Sequence, residues 1–159
     1  MTRLMTDRNA RYLESWSAEQ WIALRRNTRY HRARSAFERA YWYADEDRLN
    51  RVEALQSASA TLQDVAGQLG TDEPLWWDVV LAQVRALRQL QQDQEAWQLL
   101  RKIDLATAPL KFRPWIVAEV MRLQNALGEA TKADQIATAI LQGEFGQDPE
   151  ALLAVLELM

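Results

Sequence analysis

Apolar residues recur along this chain at three- and four-residue intervals. Leu55, Ala58, Leu62, Val65, Ala66 and Leu69 form one such face, and Ala33, Ala36, Phe37, Ala40 and Ala44 form another. This spacing places each set along one side of a helix. Sustained two-residue alternation is absent, and no Asn-Gly or Asp-Gly stands between β-branched runs. The pattern predicts an all-α protein.

Punctuation places the helices. Ser17 with Gln20 is a capping-box pattern and opens a short helix around 18–27. Residues 29–69 read as one long helix or two, with a break at Asp45-Glu46-Asp47, a possible new N-cap at Asn50 and a stop at Gly70. Thr71-Asp72-Glu73-Pro74 favours a new start, because proline lacks only an N–H that is orphaned in the first turn anyway. That helix is expected to reach about residue 91. Further helices are expected over 94–105 behind Asp93, over 111–127 with Pro114 in the first turn, over 132–142 behind Thr131, and from Pro149 onward. Gly128 and Gly143 close two of them. The expected organisation is a basic segment over 1–28 and a helical-hairpin domain over 29–159, as one domain overall.

The segment 74–142 repeats itself. A shift of 36 residues lays Trp76 on Phe112, Val80 on Ile116, Leu81 on Val117, Ala82 on Ala118, Val84 on Val120 and Leu87 on Leu123. Past the turn the shift becomes 37, and Ala96 falls on Ala133, Leu99 on Ile136 and Ile103 on Ile140. Each unit is helix, turn, helix. One hairpin cannot bury its apolar face alone, whereas stacked hairpins share a continuous core. The stretch PLWWDVV at 74–80 sits at the start of the first unit. Neighbouring tryptophans lie about 100° apart on a helix. One of Trp76 and Trp77 is therefore expected on the 50–69 helix and the other inside its own hairpin.

This unit resembles the tetratricopeptide (TPR) repeat, whose period is 34 residues. Ala96 and Ala133 occupy the small position of the second helix, Gly128 matches the glycine after the first, and Pro109 lies near the closing proline. Gln91 stands where the other unit has Gly128. The family's Leu-Gly pair is replaced by Gln83-Val84, and by Ala118-Glu119 or Val120-Met121 according to register. The resemblance implies antiparallel hairpins stacked as a short α-solenoid; an irregular helical bundle is the other architecture these helices could build. It also implies a non-catalytic adaptor or chaperone that presents a concave face to a peptide or partner helix. By repeat position that face holds Asp78, Arg85, Arg88, Gln89, Met121, Gln124 and Asn125. Its arginines and amides would hold a peptide's carboxylates and backbone. Within the class a secretion chaperone is the expected kind. Two and a half units is a short stack, which leaves dimerisation through an uncapped end open.

Composition adds an asymmetry. The net charge of −3 divides into about +5 over residues 1–40 and about −8 over 41–159. The basic head packing on the acidic body is one reading. Its centre is Arg25, Arg26, Arg29, Arg32, Arg34 and Arg39, interleaved with Tyr30, Phe37 and Tyr41. Such a cluster suits a phosphate backbone or single-stranded nucleic acid, and equally an acidic protein or an anionic membrane surface. The acidic body suits an inhibitor of a partner enzyme, such as an immunity protein or antitoxin. Without cysteine there is no disulfide framework, thiolate metal site or cysteine nucleophile. His31 is the single histidine and reads as a surface residue, with no metal site of common type to build around it. The carboxylates fall at helix starts and exposed faces, and no glycine-rich loop could cradle a phosphate. No enzyme, no cofactor and no metal are expected. No run approaches the roughly 18–20 apolar residues of a membrane span. MTRLMTDRNARYLESW lacks the apolar core of a signal peptide, so a cytoplasmic protein is expected.

Overall fold

A computed structural model describes residues 16–40, 42–43 and 47–158. Seven α-helices follow one another among them: α1 Ala18–Ala40, α2 Arg48–Ala66, α3 Pro74–Gln89, α4 Asp93–Leu100, α5 Arg113–Ala126, α6 Ala130–Leu141 and α7 Pro149–Leu158. A 3₁₀ turn, Leu110–Phe112, leads into α5. The all-α expectation holds, and no helix among the described residues is long and apolar enough to cross a membrane.

Each helix packs on the next. The first helices of successive hairpins also touch, α1 on α3, α3 on α5 and α5 on α7. No contact of comparable extent joins α2 to α4 or α4 to α6. The odd-numbered helices therefore form an inner layer and α2, α4 and α6 an outer one. The α1–α2 hairpin is antiparallel: Arg26, Arg29 and Tyr30 meet Gln68, Asp64 and Leu62 in reverse order. Three apolar clusters fill the stack, across α1–α2–α3, across α3–α4–α5 and across α5–α6–α7. The inner helices α3 and α5 each serve two clusters.

The capping box forms in full at α1. Ser17 N–H donates to Gln20 Oε1 (2.7 Å), and Gln20 N–H donates to Ser17 Oγ (3.2 Å). The helix then runs to Ala40 rather than stopping near 27, so no element boundary falls at residue 28. Nothing in that stretch breaks a helix, and Tyr30, Ala33 and Ala40 bury one side of it. The segment 29–69 is two helices. Asp47, not Asn50, stands at the N-cap of the second; Asp45 and Glu46 lie outside the described residues. The α2 helix ends at Ala66, before Gly70. The α4 helix stops at Leu100, short of 105, and the chain then turns around Asp104, whose Oδ1 accepts from Ala106 N–H (2.9 Å). Arg113 holds this loop through its Nε to Ala108 O and its Nη2 to Ala106 O, both 2.9 Å.

The two tryptophans of PLWWDVV pack forward together, in the α3–α4–α5 cluster, and not one on each side. Trp76 meets Trp77 edge-on (4.9 Å between centroids), and Trp77 stacks on Phe112 (6.1 Å). Phe112 in turn meets Trp115 edge-on (5.8 Å). Leu75, Val79 and Ala82 fill the side of α3 that faces α1 and α2. These smaller groups suit a close three-helix junction, which leaves the forward side to the large rings.

The turns after α3 and α5 are hydrogen-bonded alike, at a spacing of 37 residues. Arg88 O and Leu87 O accept from Gln91 and Gln92 N–H, and 37 residues later Asn125 O and Gln124 O accept from Gly128 and Glu129 N–H. Burial along α3 and α5 matches best at the same 37, which pairs Trp77 with Pro114, Val79 with Ile116, Val84 with Met121 and Arg85 with Arg122. The register of 36 across the first helices is thereby corrected by one residue.

Candidate functional site

Glu119 interrupts the apolar run Trp115-Ile116-Val117-Ala118 and is fully buried. An unpaired carboxylate there would be costly. Three arginines meet it. Its Oε1 accepts from Arg122 Nη1 (2.8 Å) and Arg85 Nε (3.3 Å), and its Oε2 from Arg88 Nε (3.0 Å). The α7 helix closes the group: Arg85 Nη2 donates to Glu150 Oε1 (3.0 Å), and Arg122 Nε to Glu157 Oε2 (2.7 Å). Burial opposes the charge on Arg122, and the carboxylates of Glu119, Glu157 and Glu150 outweigh it, holding its pKa above the ordinary value. Three arginines and three glutamates thus tie α3, α5 and α7 into one ionic cluster along the inner layer.

Beside this cluster the inner face opens into a groove of about 170 Å³ between α1, α3 and α5. Phe37 and Trp115 supply half-buried aromatic surface above the buried ring of Tyr30, and Arg34, Asp78 and Arg85 supply charge. The Arg85 guanidinium lies over the Trp115 ring, 5.8 Å from its centroid. Arg34 Nε donates to Glu38 Oε1 (2.7 Å). Asp78 is half-buried and has no cation within ion-pair distance among the described residues. Burial, and then the negative charge of Asp78, push the Tyr30 hydroxyl above its ordinary pKa.

The seven residues placed on a concave face by repeat position do not share one site. Asp78 and Arg85 line the groove just described. Arg88, Met121 and Asn125 border a second recess of about 310 Å³ against α7, Met121 from its buried floor. Gln89 borders a third, of about 430 Å³, where its Oε1 accepts from Arg51 Nη2 (2.9 Å). Met121 and Gln124 are buried and offer a partner little or no surface. The basic patch divides too. Arg26 bonds Gln68 O (2.7 Å) and Glu73 Oε1 (3.1 Å), Arg29 pairs with Asp64, and Arg34 with Glu38. Arg25, Arg32 and Arg39 are exposed and have no carboxylate partner among the described residues. Of these three recesses the third is the largest, but the inner groove is the one of the three that gathers three aromatic side chains, the groups that anchor interfaces.

Sequence spacing misses Glu119, Arg122, Glu150, Glu157 and the aromatic wall Trp115, and it marks Tyr30 and Phe37 only as aromatics among the N-terminal arginines. A lone acid inside WIVAEVM is the one signal that points to the cluster. Comparison with protein-family models, with curated proteins and with solved structures finds no match for this chain.

Proposed function

We propose that this chain is a non-catalytic protein-interaction module of TPR-like build, an adaptor or chaperone that takes a peptide or a partner helix along its inner layer. One observation carries the reading: α1, α3 and α5 bring Tyr30, Phe37 and Trp115 together around an open groove. Aromatic rings give large contact area at little cost in side-chain freedom, and the ionic cluster beside them keeps two of the three helices, α3 and α5, in fixed relation. The test is capture from native lysate by wild type and by Phe37→Ala, with nuclease and at moderate salt, using Trp42→Ala as the control at an exposed position. Partners lost with Phe37→Ala and kept with Trp42→Ala support the reading. Partners indifferent to Phe37 remove the groove from it.

A second reading has its own observation. Arg25, Arg32 and Arg39 recur every seven residues along α1, so they form one exposed stripe with no carboxylate partner among the described residues. A nucleic-acid accessory role would use that stripe. Three phosphate contacts predict a slope of about −2 for log affinity against log salt on a single strand. Replacing all three by glutamine would abolish that binding and leave groove-dependent capture intact.

A further inference from the structure

We propose that the inner-face groove selects a positively charged side chain, a lysine or arginine of the partner, and that Asp78 receives it. The proposal rests on the reading of this groove as the partner site, and it adds the chemistry of what enters. It also reverses the polarity expected from repeat position, where the arginines would hold a peptide's carboxylates.

The charge inventory of the inner layer carries the argument. Arg85, Arg88 and Arg122 are matched by Glu119, Glu150 and Glu157. Arg34 is matched by Glu38. Among the charges that line the groove, Asp78 is the one without an ion-pair partner among the described residues. An acidic guest would have to break an internal ion pair to find a cation, and would meet Asp78 and Glu38 on the way. A basic guest finds in Asp78 a carboxylate with no ion-pair partner among the described residues. Arg34 and Arg85 flank the same groove, but their charge is already cancelled by partners at 2.7 Å and 3.0–3.3 Å.

The walls suit the same guest. Cations sit favourably over aromatic faces, and long basic side chains lay their methylenes on apolar surface. Arg85 already uses Trp115 in this way. Tyr30 lies close enough to Asp78 to feel its charge, which puts an aromatic ring and a carboxylate at one spot. At longer range the charge of about −8 on residues 41–159 is offset in part by the charge of about +5 on residues 1–40, which include α1, and the remaining −3 favours a basic partner weakly.

The test uses the full chain and a phage-displayed library of random dodecapeptides. Binders are selected on wild type and retained only if Phe37→Ala weakens them. Expected is a lysine or arginine at one position beside an apolar residue. A synthetic peptide of that consensus should bind Asp78→Asn about tenfold more weakly, with its basic residue coupled to Asp78 in a double-mutant cycle. Asp78→Lys should recover affinity for the peptide whose basic residue is replaced by glutamate. Groove-dependent binders with no basic preference, or with equal affinity for Asp78→Asn, would overturn the proposed selectivity and leave the peptide-binding reading standing. A selection in which no binder depends on Phe37 would overturn both.

Discussion

Gln91 stands 37 residues before Gly128, and both have left-handed backbones, with φ of 59° and 81°. Each closes the first helix of its hairpin with the same pair of hydrogen bonds. Glycine enters this region freely, whereas a residue with a Cβ is strained there. Replacing Gln91 by glycine is therefore expected to stabilise the protein by up to about 1 kcal/mol, a gain trimmed by glycine's freedom in the unfolded chain. Gly128→Ala should destabilise by about 1 kcal/mol. Urea denaturation of both variants checks the pair. Equal and unchanged midpoints would show that the turn is not under strain.

The ionic cluster makes Glu119 the most sensitive charged position. Glu119→Ala leaves three arginines facing one another at a fully buried site, and the expected loss is about 3–5 kcal/mol. Glu119→Gln keeps the shape and one acceptor oxygen, so its loss should be smaller. The order of the two denaturation midpoints is the observable. A glutamine variant as unstable as the alanine variant would mean that charge, not shape, holds the arginines.

The aromatic chain from Trp76 to Trp115 runs through Phe112, which is fully buried against Trp77. Phe112→Ala removes the ring that links α3 to α5 and should cost about 3–5 kcal/mol. Trp42 is 87% exposed, so Trp42→Ala should stay within about 0.5 kcal/mol of wild type. Thermal melts of the two variants give the contrast. A comparable loss at Trp42 would contradict the exposed placement.

Tyr30 links stability to alkaline pH. Burial first, and the charge of Asp78 second, raise its pKa above the ordinary 10.0, while Arg34 pulls the other way. A folded-state pKa above the unfolded one stabilises the protein fully below the unfolded value, and the contribution disappears as pH rises through the folded value. The stability difference between wild type and Tyr30→Phe should be flat over about pH 7 to 9 and shift in favour of phenylalanine above pH 10.0. Asp78→Asn lowers the folded-state pKa alone, so the alkaline loss should begin at the same pH but be smaller and end at lower pH. A loss of unchanged size in the Asp78→Asn background would mean that the two side chains do not sense each other.

The helices were legible because apolar spacing and capping are local. Ser17 with Gln20, Pro74, Pro114 and Gly128 each mark a boundary through forces that act within one turn. The small positions Ala96 and Ala133 were legible for a related reason: both lie on apolar helix faces, and both are buried. Less legible was the continuity of α1 past residue 27, because no breaker stands there and burial against α2 and α3 decides the helix's length.

By itself, then, the sequence determined which segments are helical and that they pair as hairpins. Only the tertiary structure decided what the charges do. Spacing put Arg85 and Arg88 on one face of α3, but the carboxylates that neutralise them come from 34, 31 and 65 residues away. The same holds for the rings of PLWWDVV, whose side was settled by how closely α3 approaches α1 and α2. Charge pairing and ring packing act between elements, over distances that no local pattern encodes. Among the described residues Asp78 is left without a cation for that reason: Arg34 and Arg85, which line the groove with it, are already paired with carboxylates.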